Sequence, residues 1–175
     1  VGLLRVTIGR ISDGVRGMKL GKNDEVVSMC ILSGNENDSS LKEQFLLLDK
    51  QLRLEILEKG IDNLEIQAKL NEFIDNCKKK GKKLDLDMKQ IKKMINEEQF
   101  LLTITSDGYG KRTSSYEYRI AARRGGSGTK AINLQGDAYV VATLLADNNE
   151  DIIMIGTKGK TIRIPAENIS LIGRK

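Results

Sequence analysis

The sequence predicts a mainly β protein, a propeller-type array of about two repeated units, with an α-helical subdomain inserted into the first. Residues 1–34 and 100–175 are glycine-punctuated and β-branched, whereas residues 35–99 contain only Gly60 and Gly81 and switch to a helical period. The flanks also match each other: "GVRGMKL" (14–20) precedes "DEVVSMCIL", and "GGSGTKAINL" (125–134) precedes "DAYVVATLL". "FLLTITSDGYGKRTSSYEY" then matches "IIMIGTKGKTIRIPAENI", each a strand, a glycine turn carrying lysine, then threonine and arginine. Arg174 follows Gly173 as Arg10 follows Gly9, so a third copy starts at the chain end.

The N-terminal "VGLLRVTIGR" reads as a strand already under way. It lacks the charged leader, apolar stretch and small-residue cleavage site of a signal peptide, so a piece of a longer protein is expected. Glu25–Leu32 follows as an apolar strand. The insert, residues 35–99, predicts about three helices. Ser40-Leu41-Lys42-Glu43 matches a capping box, and Leu41, Phe45, Leu48 and Leu52 form one helical face that stops at Gly60. Asp62-Asn63-Leu64-Glu65 caps a second helix with Ile66, Leu70, Phe73 and Cys77 as its stripe, ended by a lysine run from Lys78 to Lys83. Asp87 caps a third, through Met88, Ile91 and Ile95. These stripes read as helix-to-helix core, and the lysine run as a solvated turn. Beyond the insert, strands are expected at Phe100–Thr105, before the turn Ser106-Asp107-Gly108, and at Ala138–Ala146. Ile152–Ile155 and Thr161–Ile164 flank the turn Lys158-Gly159-Lys160, with the only proline, Pro165, just after the last strand.

Composition removes several chemistries. The chain has no histidine, which excludes histidine-based acid–base catalysis, Ser-His-Asp triads and most zinc sites. Cys30 and Cys77 form no metal or redox motif and fit a reducing cytosol. Aromatic residues make up 4% with no tryptophan, so the core must be aliphatic. No apolar run approaches a membrane span. The net charge is +5, distributed as +2 over residues 1–34, −1 over 35–99 and +4 over 100–175. The repeated β unit therefore carries the whole surplus, which points to a polyanionic partner.

The motifs narrow that partner. Gly159-Lys160-Thr161 resembles the end of a phosphate-binding P-loop, but Met154 stands where the first glycine should be and a strand follows instead of a helix. "GYGKRT" has two glycines of a dinucleotide fingerprint and no βαβ setting. No acid, base or nucleophile set stands out, so no catalytic or metal site is assigned. The remaining reading is phosphate contact by exposed turns: glycine brings the backbone close, and arginine offers a forked donor. The candidates are Arg10, Arg16 and Lys19; Lys111 and Arg112; Arg123, Arg124 and Lys130; and Lys158, Lys160 and Arg163. Gly125, Gly126 and Gly128 form the box-like loop beside them. Such contacts carry no base information.

Together "GRISDGVRGMKL", "DEVVSMCIL", "TSDGYGKRT", "YRIAARRGGSG" and "IPAENISLIGR" resemble the C-terminal domain of the A subunit of bacterial DNA gyrase, over nearly all of 1–34 and 100–175. The resemblance implies a β-pinwheel, a propeller-like disc whose blades exchange strands and whose basic rim wraps duplex DNA. It implies a parent type II topoisomerase that introduces negative supercoils, needing ATP and Mg through other domains and no cofactor in this fragment. It also implies two gyrase partners, the rest of the A subunit and the B subunit, and a cytoplasmic, nucleoid-associated location. The related topoisomerase IV has a degenerate form of the domain and is the nearest alternative. The family's hallmark box has Gln and Lys where residues 122–128 read Ala-Arg-Arg-Gly-Gly-Ser-Gly, so this stretch is a secondary box. The family's catalytic tyrosine lies in another part of the parent polypeptide, so Tyr109, Tyr116, Tyr118 and Tyr139 do not take that role. The insert is not part of the common pattern; an alternative of another class is a protein-interaction module with the insert as its docking element.

Overall fold

The computed structural model describes residues 11, 13–33, 39–82 and 84–174. The reading of residues 1–10 as a strand lies outside these. Among the described residues four α-helices come first, α1 (Ser39–Phe45), α2 (Lys50–Lys59), α3 (Leu64–Lys79) and α4 (Met88–Glu97). Five strands follow, β1 (Phe100–Thr105), β2 (Gly110–Ser114), β3 (Val140–Leu145), β4 (Asp151–Ile155) and β5 (Thr161–Pro165).

The insert has one more helix than its periodicity predicts. The first apolar stripe is continuous in spacing, but the chain breaks after Phe45 and restarts where Asp49 accepts from the Gln51 N–H. A mid-stripe aspartate is a better cap than an interior residue, so local capping wins over the stripe. Ser40 is already helical and its hydroxyl accepts from the Gln44 side chain, so the predicted box there does not form. The cap of α4 forms as read, and within the stretch Asp62-Asn63-Leu64-Glu65 the capping residue is Asn63. Asn63 accepts from the Glu65 and Ile66 N–H groups, and Asp87 with Gln90 makes a reciprocal capping box. Gly60, at φ 80°, ends α2. Phe45, Leu48, Leu52, Ile66, Leu70, Ile91 and Ile95 are buried in one aliphatic core, as the stripes require.

The β part is two copies of one local unit. β1 and β2 form an antiparallel hairpin that runs into a 3₁₀ turn at Ser115–Glu117. β4 and β5 form a second hairpin that runs into a 3₁₀ turn at Ala166–Asn168. The registers coincide position by position: Leu102 faces Arg112 as Ile153 faces Arg163, and Thr103 faces Lys111 as Met154 faces Ile162. β3 pairs antiparallel with the free side of β1, giving the order β2-β1-β3. On the outer side of β2 the chain returns at Leu171, which bridges Arg112 in parallel. The first hairpin is thus the centre of a four-strand-like blade whose outermost piece comes from the following unit. Leu102, Ala146, Ile152 and Ala166 are buried between the two hairpins, with Ile104, Met154 and Ile169 packed against them.

Glu25–Leu32 differs from expectation. It forms no strand among the described residues, and Val26, Val27, Met29 and Ile31 are exposed. Its counterpart in the repeat, β3, gains its ladder from β1, the hairpin of the preceding unit. No such preceding hairpin is among the described residues, and the segment meets β3 through the Ser28 hydroxyl, which donates to the Thr143 carbonyl.

Insert and blade are fastened by polar groups that the stripes did not reveal. Tyr116, in the first 3₁₀ turn, is 4% exposed and enters the helical core. Its ring meets Phe45 edge-on with centroids 5.4 Å apart, and its hydroxyl donates to the Met94 carbonyl at 2.9 Å. Arg53 of α2 pairs with Glu98, the first residue after α4; their side chains are 3% and 1% exposed. Arg53 also lies over the Phe45 ring, 5.3 Å from its centroid. Burial pushes the Glu98 carboxyl above the usual carboxylate range, opposed by the Arg53 charge and a Ser114 hydrogen bond. A raised carboxyl holds its proton more tightly folded than unfolded. Its contribution to stability is therefore complete below the ordinary carboxylate pKa and fades as pH rises through the raised value. Urea midpoints of the parent and Glu98→Gln, measured from about pH 4 to 7, should show the parent's advantage shrinking with pH. A constant or growing advantage refutes this.

Candidate nucleic-acid interface

The two box-like loops are built against each other. Gly125 donates its N–H to the Gly17 carbonyl at 2.8 Å, Lys19 donates to the Gly126 carbonyl at 2.9 Å, and Met18 bridges Gly126 in parallel. Gly125 and Gly128 sit at φ 74° and 75°, the left-handed region that L side chains rarely adopt. At Gly128 a Cβ would also stand 2.8 Å from the Met18 Cε. The glycines therefore turn the corner through their positive φ, and the arginines are displayed on the result. Arg16, Lys19, Arg123, Arg124 and Lys130 are all exposed. Among the described residues no carboxylate pairs with any of them.

The pattern continues one step further. Arg174, which begins the third box as Arg123 begins the second, donates from Nη1 to the Lys130 carbonyl at 2.9 Å. Each box thus touches the lysine of the box before it, Lys19 in one case and Lys130 in the other. The three box segments are joined in succession, with Arg174 half-buried at the last junction. Arg174 is not among the cations the sequence singles out, although its place after Gly173 marks it as a box residue. Lys158 and Lys160 are exposed on the β4–β5 turn, where Gly159 takes φ 77°. Arg10 lies outside the described residues.

Three of the predicted cations have other employment. Arg112 is 2% exposed. Its guanidinium donates to the Ile169 carbonyl at 3.0 Å, the Glu167 carbonyl at 3.4 Å and the Asn148 side chain, and lies 5.6 Å from the Phe100 centroid. Lys111 is 8% exposed and donates to the carbonyls of Gly173 and Arg174 at 2.8 and 2.9 Å. Burial lowers its pKa from the ordinary lysine range, with Glu117 opposing. Glu117 in turn accepts from the Arg174 N–H at 2.8 Å. Lys111, buried, and Glu117, half-buried, thus hold the segment that carries Arg174. Arg163 is exposed but bound by the Asp151 carboxylate through two donors.

No helix among the described residues is long and apolar enough to cross a membrane, and no group of three or more His, Cys, Asp or Glu there could hold a metal. The chain matches the family model described as DNA gyrase C-terminal domain, beta-propeller, over residues 4–30, 99–147 and 150–175. The DNA gyrase A subunit of Rickettsia prowazekii (strain Madrid E) is 38% identical over 172 residues, covering 98% of this chain and 17% of the relative. That of Granulibacter bethesdensis is 35% identical over 176 residues, covering 98% of this chain and 18% of the relative. That of Thermotoga maritima is 42% identical over 79 residues, 45% of this chain. The chain therefore spans about a sixth of the length of the bacterial relatives it matches throughout. With the model match falling on the repeated β units and the box loops within them, the chain belongs to the DNA gyrase C-terminal β-propeller family.

Proposed function

We propose that this chain binds the backbone of duplex DNA along its strip of box loops, without base specificity, as part of the wrapping surface of a gyrase-type topoisomerase. The observation that supports this reading is the hydrogen bonding of one box to the next, Gly125 to Gly17, Lys19 to Gly126 and Arg174 to Lys130, beside the exposed side chains of Arg16, Lys19, Arg123, Arg124 and Lys130. Lys158 and Lys160 are further contacts; Lys111 and Arg112 act from beneath. The reaction itself, strand passage coupled to ATP and Mg, belongs to other parts of the parent, as do its contacts with the gyrase B subunit. Its placement on the bacterial nucleoid follows from the same reading.

Physically, wrapping sets many weak contacts against a bending cost of about 1–6 kcal/mol for a short site. Charge reversal tests it directly. Arg123→Glu with Arg124→Glu is expected to weaken binding to unrelated duplexes equally and to reduce the salt slope of affinity by about 2. Unchanged affinity and slope would overturn the reading, as would a loss confined to one sequence. With two units instead of a closed ring, the isolated chain should bind DNA and wrap it poorly. Positive writhe constrained by the chain alone, read after ligation of nicked circles, would refute that expectation.

A further inference from the structure

The insert is almost neutral as a whole, net −1, but its charge is sharply divided. Residues 35–77 hold 5 basic and 10 acidic side chains, net −5, whereas residues 78–93 hold eight lysines against Asp85 and Asp87, net +6. The basic segment leaves α3 at its C-terminal end, where Lys80 is the cap. It comes back to the start of that helix, where the Lys92 Nζ lies 3.1 Å from the Asp62 carboxylate. At 1.5 Å per residue, the length of α3 separates these two points by about 24 Å. Only part of the charge is answered locally. Lys92 has Asp62 and Lys93 has Glu97, but Lys78, Lys79, Lys80, Lys82 and Lys89 are exposed, and among the described residues no carboxylate pairs with them. Helix ends do not account for all five. Lys78 and Lys79 complement the C-terminal end of α3. Lys89 does the opposite: it stands in the first turn of α4, which holds no acid, and Lys92 and Lys93 follow at the spacings where like charges repel.

We propose that this lysine segment is a second contact for duplex DNA, carried by the insert and separate from the box loops. The inference rests on the DNA reading and extends it to residues 31–98, which the family match leaves out. The layout of the charge suits a linear polyanion better than a single anion. A length of about 24 Å corresponds to about seven base pairs at 3.4 Å per step, so lysines toward its two ends can meet different phosphates. The residue type fits as well, since an ammonium on a flexible stem follows a phosphate without demanding one geometry. No apolar side chain of the described segment is exposed. Leu86 and Ile91 are buried, and Leu84 and Met88 pack on the helical core. The segment therefore offers no apolar face to a lipid surface and no aromatic or aliphatic anchor to a protein partner. What it offers is charge alone, and the phosphate backbone is recognised by charge without base identity.

Two measurements on the 175-residue chain test this. In the parent, chemical acetylation read by mass spectrometry should fall at least ~5-fold at Lys78–Lys82 and at Lys89 when a saturating duplex covers their ammonium groups, while Lys59, on the acidic part of the insert, stays as reactive as before. In a variant carrying Lys78→Gln, Lys79→Gln, Lys80→Gln, Lys82→Gln and Lys89→Gln, the slope of log affinity against log salt should shrink by about 2 or more, with binding at least ~10-fold weaker at about 0.1 M salt for unrelated duplexes alike. Equal acetylation with and without duplex overturns the proposal, and that result does not depend on how the variant folds. So does an unchanged slope. A slope that shrinks without protection would make the lysines a distant field and overturn the contact. If Arg123→Glu with Arg124→Glu weakens binding and the five-lysine variant does not, the DNA reading stands and this inference alone fails; if neither weakens it, both fail. Parent binding to phosphatidylglycerol vesicles that the five-lysine variant loses, with its DNA affinity intact, would assign the segment to an anionic membrane and overturn the inference.

Discussion

Arg53→Ala is expected to destabilise the chain by about 3–5 kcal/mol, because it leaves the Glu98 carboxylate buried without its counter-charge. The pair sits where α2 meets the junction of α4 and β1, with both side chains nearly inaccessible. Little water is available there to replace the lost partner, and the Ser114 hydroxyl alone must stabilise the acid. The complementary experiment separates a broken pair from a lost one. Arg53→Met combined with Glu98→Leu should recover most of the loss, since apolar replacement of a whole buried pair is often neutral or stabilising. Chemical denaturation of the two variants and the parent measures both statements. A single variant within about 1 kcal/mol of the parent, the size of an exposed pair, would show that the site is wetter than its geometry indicates.

Arg112→Ala is the second large effect, again about 3–5 kcal/mol from the hydrogen bonds of a buried charged group. Its consequence is directional. The guanidinium is the main polar link from β2 to the turn after β5, so its loss should free the second unit from the first. Native-state hydrogen exchange should show β4 and β5 opening at lower free energy while α3 and α4 keep their protection. Arg112→Lys should not rescue, because a point-like ammonium cannot serve the Ile169 and Glu167 carbonyls and Asn148 together. Uniform loss of protection across helices and strands would refute the directional claim.

Much of this architecture was legible because it is local. β1 coincides with the predicted run Phe100–Thr105, since that run is apolar and stops at a turn whose glycine, Gly108, takes φ 86°. The internal match of the two hairpins survives as an identical strand register. What the sequence concealed is non-local. Lys111 and Arg112 look like rim cations, and nothing near them announces that carbonyls more than fifty residues away, from Glu167 to Arg174, will surround them. The repeat held one unused clue: Lys111 aligns with Ile162, so that position does not call for a cation. Glu25–Leu32 failed for a related reason. A strand is defined by its neighbour, and apolar composition alone cannot supply one. Arg53 hid in the same way, a charge set between Leu52 and Ile56 on a face that otherwise read as core.

The attachment points of the insert have a consequence of their own. The Ser33 N–H donates to the Gln99 side chain at 2.8 Å, so the helices leave and rejoin the β unit across a narrow gap. At the same place the second unit has only a short turn, closed by the Asp147 N–H on the Glu150 side chain at 2.7 Å. Entry and exit of the whole helical piece are thus no wider than an ordinary turn, which makes it a cassette that can be grafted or excised without redrawing the sheet. The second unit even records the adjustment that excision requires. Glu167 occupies the place of Tyr116, so a polar residue suits that corner wherever no helices cover it.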